Sequence, residues 1–356
     1  MYKIMTPGPT QVAENVRLAR SRECTNPDLD ENFVEFYKET CEEISRLLHT
    51  DNETLILGGE GILGLEAACA SMTEPGDRVL VLDNGIYGKG FADFVSMYGG
   101  CPELYSRDYR ETLNVQELEN FLKEHHDYKY ATVVHGDTPS GMLNDVSAIC
   151  PLLKKYGIMT VVDSVSASFG EPMRISDWQI DIMCGGSQKV VSAPPGLTFV
   201  VISNDAKKAM TDRKTPIASF YANLTTFAHY YEEKWFPYTM PISDIYGLRA
   251  AIDNIAADPV AIVYNDDGKL MGLPLNRALR DEDGQMYDAV AGDFLVVGLG
   301  EEDFASLTPE MAQKYEQLFH QPEAFLKLGN RLLVLPVPDE PPTEKPRTKP
   351  TSEHDR

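Results

Sequence analysis

The chain has 356 residues and a hydrophobic fraction of 43%, enough for two or more domains with a sizeable core. Its net charge of −23 argues against a nucleic acid or an anionic membrane as partner, because a phosphate polymer would be repelled. Six scattered cysteines with no CxxC and no short His/Cys cluster point to reduced thiols in a cytoplasmic protein rather than a disulfide framework or a metal site.

Read from the start, MYKIMTPGPT lacks a basic region followed by an apolar run, and no segment is apolar for the length of a membrane span, so a soluble, unexported chain is expected. PGPT at 7–10 is a rigid extended segment that cannot be helix. Between 30 and 49, Phe33, Phe36, Tyr37, Ile44, Leu47 and Leu48 fall at helical spacing and predict an amphipathic helix. TLILGGEGILGLEAACASM follows, in which a short strand at 55–57 breaks into Gly58, Gly59, Glu60 and Gly61 and a helix begins near Ile62. Glycine there lets backbone N–H groups approach a phosphate at a helix N-terminus, where the dipole favours the anion. A plain strand-to-helix turn fits the same residues, and Glu60 is an awkward neighbour for a phosphate unless its side chain points away.

DRVLVLDNGIYGKGFADFVSMYG repeats the pattern, with a strand at 78–82 that ends in Asp83 and Asn84 and a helix from about Gly88. Tyr87, just beyond the strand, is placed either to stack on a flat ring or to serve as a half-buried turn aromatic. A helix at 114–125 carries Val115, Leu118, Phe121 and Leu122 on one face. The strand at 131–134 ends in HGDTPSG, where the Thr138 hydroxyl suits a cofactor's polar edge or a simple turn, and His135 reads as a satisfied structural histidine.

A helix at 146–156 leads into the stretch that matters most. A β-branched run, Thr160, Val161 and Val162, ends in Asp163; a second apolar run, Ile180, Ile182 and Met183, ends in Gly185, Gly186, Ser187, Gln188 and Lys189. Both read as buried parallel strands whose polar residues appear only at the carboxyl end, where open α/β sheets place their ligands. A lysine in an enclosed site loses its charge readily and forms a Schiff base with an aldehyde. A neighbouring carboxylate keeps a pyridine nitrogen protonated, which turns the ring into an electron sink, so the pair points to pyridoxal phosphate chemistry. The same two residues also fit a helix cap and a solvated loop lysine. Alternating strands and helices specify a mostly parallel sheet covered on both faces. SAPPGLTFVVIS predicts an edge-like strand behind a proline pair, 205–212 a helix, and WFPYTMPISDIYGLRAAIDNI an extended segment with Phe236, Tyr238 and Thr239 before a helix at 243–255.

On TPGPT, the glycine-rich turn at 58–61, HGDTPSG at 135–141, VVDSVSA at 161–167 and GGSQK at 185–189, residues 1–255 resemble the class V pyridoxal-phosphate-dependent aminotransferases. The likeness is strongest to the branch with the alanine–glyoxylate, serine–glyoxylate and aminoethylphosphonate–pyruvate enzymes. It implies the large domain of a type I pyridoxal-phosphate transferase, with Lys189 as the Schiff-base lysine and Asp163 as the partner of the ring nitrogen. By the same resemblance Tyr87 stacks on the ring, Thr138 contacts the ring oxygen, Gly61 and Ile62 supply backbone N–H groups to the phosphate, and Gln188 adds a side-chain contact. Thr239 would reach the phosphate of a neighbouring subunit, which implies a homodimer. The implied reaction moves an amino group from a small amino acid, of the alanine, serine or aminoethylphosphonate kind, to glyoxylate or pyruvate, with no nucleic acid, membrane or metal involved.

In that family a C-terminal domain carries an arginine, in an Arg-Ile-Gly-like motif, that clamps the substrate carboxylate. No such motif follows residue 255. Asp-Asp-Gly and Asp-Glu-Asp-Gly turns between alternating runs predict two β-hairpins there, and 308–319 a capped helix. Residues 258–335 resemble a small uncharacterised domain of bacterial mobile elements on LPLNRAL, AGDFLVVG and SLTPE, and from 336 a proline-rich, charged tail is expected to be disordered. The expected organisation is therefore a truncated aminotransferase core at 1–255, a small α+β domain at 256–335 and a tail at 336–356. The competing expectation is a non-catalytic fusion whose core is a scaffold and whose second module binds an unknown partner. Desulfurase chemistry ranks below both, since no cysteine follows Cys184.

Overall fold

The computed structural model describes Ile4, residues 6–256 and six short strands in the remainder of the chain. Two compact units emerge, Met1–Ala256 and Ala257–Arg356.

The first unit opens with helix α1 (Glu14–Ala19) and α2 (Glu31–Leu47). Asp30 starts α2 by accepting the Asn32 N–H, and Phe33, Tyr37, Cys41 and Ile44 recur every three or four residues to bury one face. The buried Tyr37 hydroxyl bridges the backbone C=O and N–H of Ile56 at 2.9 and 2.8 Å, which fastens α2 to the strand that follows. That strand, β1 (Glu53–Gly58), leads into α3 (Gly61–Met72), then β2 (Arg78–Asp83), α4 (Ile86–Met97) and β3 (Cys101–Ser106). Next come α5 (Val115–Leu122), β4 (Tyr130–Val134), a minor hairpin of β5 (Gly136–Asp137) and β6 (Met142–Leu143), and α6 (Val146–Lys155). β7 (Met159–Asp163), β8 (Ile182–Gly186), β9 (Leu197–Ile202), α7 (Asn204–Thr211) and α8 (Ile242–Ala256) complete the unit.

Seven strands form one sheet in the order β1-β9-β8-β7-β4-β2-β3. From β8 to β3 every neighbouring pair is parallel, while β9 runs antiparallel to both β8 and β1. This is the mostly parallel α/β sheet the alternating pattern specifies. The carboxyl ends of β1, β2, β4, β7 and β8 consequently lie along one edge. β9 corrects one expectation: the strand behind the proline pair is not at an edge but lies between β1 and β8, buried along its whole length. Pro194 and Pro195 precede the first paired residue, Leu197, and remove no bond from the ladder. The edges belong instead to β1 and to β3, of which β3 contains Pro102 and is mostly exposed or half-buried. α3 lies tightly on β9, since a Cβ at Gly64 would stand 2.4 Å from the Thr198 hydroxyl.

In the second unit β10 (Ala261–Tyr264) pairs antiparallel with β11 (Leu270–Gly272) and parallel with β14 (Phe294–Val296), which pairs parallel with β15 (Leu332–Val334). β12 (Leu279–Arg280) and β13 (Met286–Tyr287) form a separate antiparallel pair. The two antiparallel pairs flank the Asp-Asp-Gly and Asp-Glu-Asp-Gly turns. The helix expected at 308–319 and the tail at 336–356 lie outside the described residues. Among the described residues no helix is long and apolar enough to cross a membrane, and no cluster of three or more His, Cys, Asp or Glu side chains could hold a metal.

Candidate active site

Parallel strands leave their loops at one sheet edge, and there the first unit has a cavity of about 340 Å³, within the range of about 300–1,000 Å³ usual for small-molecule sites. β7 delivers Asp163 to its wall and the turn after β8 delivers Gln188 and Lys189. Tyr87, in the first turn of α4, and Thr138, in the hairpin after β4, line it from the other strands. Gly61 and Ile62, the first residues of α3, close one end. Seven of the eight residues singled out in the sequence thus meet at one cavity. Thr239 does not: its hydroxyl donates to Asp28 Oδ2 at 3.3 Å, on the surface and away from the lining.

The Lys189 ammonium reaches the Thr138 hydroxyl at 3.4 Å, and Thr138 is in turn hydrogen-bonded to the Ser166 hydroxyl. The TPGPT segment is strapped across the same turn. Thr10 donates its N–H to the Gln188 carbonyl at 3.0 Å and its hydroxyl to the Lys189 carbonyl at 2.6 Å. Gly8 lies so close to the lysine side chain that a Cβ there would sit 2.4 Å from Cδ and 2.6 Å from Nζ.

Asp163 is buried and accepts one backbone bond, from the Val165 N–H at 2.9 Å. Burial pushes its carboxyl up to about 6; the Val165 N–H pulls the other way, nearby Asp137 adds to the rise, Lys189 opposes it and Glu60 adds again. No hydrogen bond or ion pair joins Asp163 to Lys189, so the nearby lysine only partly offsets the burial of the acid. His135 behaves as a core residue. Its Nδ1 is 3.1 Å from the Ser164 hydroxyl, its ring meets Trp178 edge-on, and burial lowers it to about 4.

At the α3 end, Glu60 occupies the N-cap position without capping; its Oε2 accepts the Gln188 Nε2–H at 3.0 Å. Side chains missed in the sequence reading are Ser166, Glu60 as the Gln188 partner, and Thr10 and Gly8 as the strap on Lys189. Ser166 was within reach, since it falls inside the VVDSVSA motif, three residues past Asp163.

A sequence model of the family described as aminotransferase class-V matches residues 8–284. The chain belongs to the class V aminotransferases. This class V chain is 35% identical over 229 residues to a pyridoxamine–pyruvate transaminase of Mesorhizobium japonicum, covering 64% of this chain and 58% of that one. It is 29% identical over 291 residues to the alanine–glyoxylate aminotransferase of Felis catus, covering 78% and 70%. The crystal structure of ureidoglycine–glyoxylate aminotransferase from Bacillus subtilis superposes with a TM-score of 0.70 at 26% identity, over 72% of this chain and 67% of that one. The chain therefore spans between 58% and 70% of the length of these relatives. The family match runs past Ala256 and ends inside the stretch whose likeness was to a mobile-element domain.

Class V aminotransferases depend on pyridoxal 5′-phosphate. The ring end of the cavity suits that group. An amine is available for the aldehyde, a buried carboxyl has no ion-paired partner where a protonated pyridine nitrogen would provide one, and an aromatic side chain is at the wall. At the other end the start of α3 is uncapped and presents its N–H groups, but the Glu60 carboxylate stands beside it and holds one of the two Gln188 Nε2 hydrogens.

Proposed function

We propose that the chain is a pyridoxal-phosphate-dependent aminotransferase that moves an amino group from a small amino acid, of the alanine, serine or aminoethylphosphonate kind, to glyoxylate or pyruvate. The observation that carries the proposal is the delivery of a buried carboxyl without an ion-paired partner and a lysine, from neighbouring strands, to the wall of one cavity. The relatives' names, a pyridoxamine–pyruvate transaminase and an alanine–glyoxylate aminotransferase, support the amine and 2-oxo acid chemistry.

The bound ring would supply an electron sink that acidifies the substrate's α-carbon and a temporary carrier for the amino group. Everything else falls to the side chains. Lys189 Nζ would hold the aldehyde carbon at rest; once the donor's amine displaces it from that carbon, the freed amine would take the proton from the substrate's α-carbon and return it one position along. Thr138, braced by Ser166, orients that nitrogen. Asp163 would hold the ring nitrogen's proton, and a cation opposite it would oppose the rise that burial gives its carboxyl. Tyr87, at the cavity wall, would cover one face of the ring and exclude water. The Gly61 and Ile62 N–H groups and the remaining Gln188 amide hydrogen are the donors that would meet the ring's 5′ substituent. Thr239, exposed and outside its own cavity, is assigned to the phosphate of a second subunit, which makes the working unit a homodimer. The strongly acidic composition and thiols without disulfides support a cytoplasmic setting.

The test uses the purified full chain. Added pyridoxal phosphate should produce a visible absorption band that is absent in Lys189→Ala and that changes when one of a panel of amino donors is added. A band that survives in Lys189→Ala, or that no donor alters, overturns the proposal.

A further inference from the structure

At the α3 end of the cavity the charges run against a phosphate ester. Glu60, Asp163 and Lys189 are the charged side chains among the described lining residues, and the ring takes up the last two. Glu60 directly precedes the α3 N-terminus, the point whose N–H groups a phosphate would use. The carboxylate therefore already occupies the neighbourhood that an incoming dianion needs, and like charges placed side by side are costly.

Its hydrogen bond reinforces the effect. A carboxylate only accepts, so it compels the Gln188 amide to present Nε2 to Glu60 at 3.0 Å. The amide oxygen is thereby turned inward, buried without a donor, at the point where a Cβ on Gly186 would stand 3.0 Å from it. Releasing Nε2 wholly to a phosphate would leave Glu60 unpaired beside a second anion. A ring that ends in a hydroxymethyl group brings no charge to this place and carries an O–H that Glu60 can accept.

We propose that Glu60 is a specificity residue that makes this site favour the unphosphorylated ring, pyridoxal or pyridoxamine, over its phosphate ester. The inference rests on the ring-binding reading above and adds to it the selection at the 5′ end. Long-range repulsion by a chain of net charge −23 acts in the same direction, since it opposes a dianion and leaves a neutral ligand alone.

The experiment titrates the full-length protein, Glu60→Gln and Glu60→Gly with pyridoxal and with pyridoxal phosphate, following protein fluorescence and visible absorbance. Thermal melts matched to the parent chain confirm folding, and the isosteric Gln variant stands in if the Gly variant melts early. The parent protein should bind pyridoxal more tightly than its phosphate. Both variants should tighten the phosphate by about tenfold or more while moving pyridoxal less than about threefold. Raising the salt should narrow the parent's preference, as screening predicts. If the phosphate binds more tightly than pyridoxal in the parent, and the ratio stays the same in both variants, the specificity role is wrong while ring binding stands. If neither aldehyde binds any of the three proteins, the ring-binding reading falls as well.

Discussion

Replacing Asp163 by Asn in the ligand-free protein should make it more stable near neutral pH. Burial lifts the carboxyl from an ordinary 3.8 to about 6. Between those values the folded protein binds a proton that the unfolded chain has already lost, so stability falls as pH rises through the window, and the full penalty is carried above about pH 6. At about 1.4 kcal/mol per pH unit the penalty comes to about 3 kcal/mol, or roughly 6–12 °C in Tm for a unit of this size. Asn retains the oxygen that accepts the Val165 N–H and removes the charge. Urea and thermal melts of the full chain, followed by circular dichroism from about pH 4 to 8, should show a variant advantage that is small at the acid end and levels off above about 6. A constant offset across that range, or a less stable variant at neutral pH, would refute the account. The sign should reverse with ligand, because the variant no longer has a counter-charge for the ring nitrogen, and the Tm gain on adding the aldehyde should shrink.

Two further substitutions test the strap and the sheet. Gly8→Ala puts a methyl group where the Lys189 side chain lies, and only the flexible end of that side chain has to move; stability should stay within about 0.5 kcal/mol while the rate of visible-band formation falls roughly tenfold to hundredfold. Equal rates, measured by stopped flow, would show that Gly8 does not position the amine. Gly185→Ala should be damaging for a different reason: its Cβ would stand 2.1 Å from the ring of Phe199, its direct partner across β8 and β9. A loss of about 1–3 kcal/mol or more is expected from the urea midpoint, and an unchanged midpoint would contradict the close packing assigned there.

The sheet and most of the site are legible in the sequence because parallel strands announce themselves. β7 and β8 are apolar apart from the buried Thr160 until they reach Asp163 and the residues after Gly186, so strand, direction and ligand edge are read together. Failures occur where that signal is absent. α1 is six residues long with no side-chain cap, and β3 holds a proline on a partly exposed edge, so neither displays a period. β9 is apolar on both faces, a pattern that reports burial but not position in the sheet, and the prolines before it misdirect the reading toward an edge. Glu60 and Gln188 are 128 positions apart, and nothing in spacing foretells that one fixes the other's amide. The strap of Thr10 on Lys189 is more remote still.

The central place of β9 sets an order of assembly. β1, made early, enters the sheet against a strand that ends at Ile202, so its place in the ladder stays open until some 140 further residues have been synthesised. When β9 arrives it zips onto β8 and β1 together, and the two walls of the cavity, one bearing the lysine and the other the start of α3, come into register in a single event. Ring capture is therefore a late reporter of folding, and a ribosome-bound fragment ending before residue 197 should be colourless however much of its parallel sheet has formed.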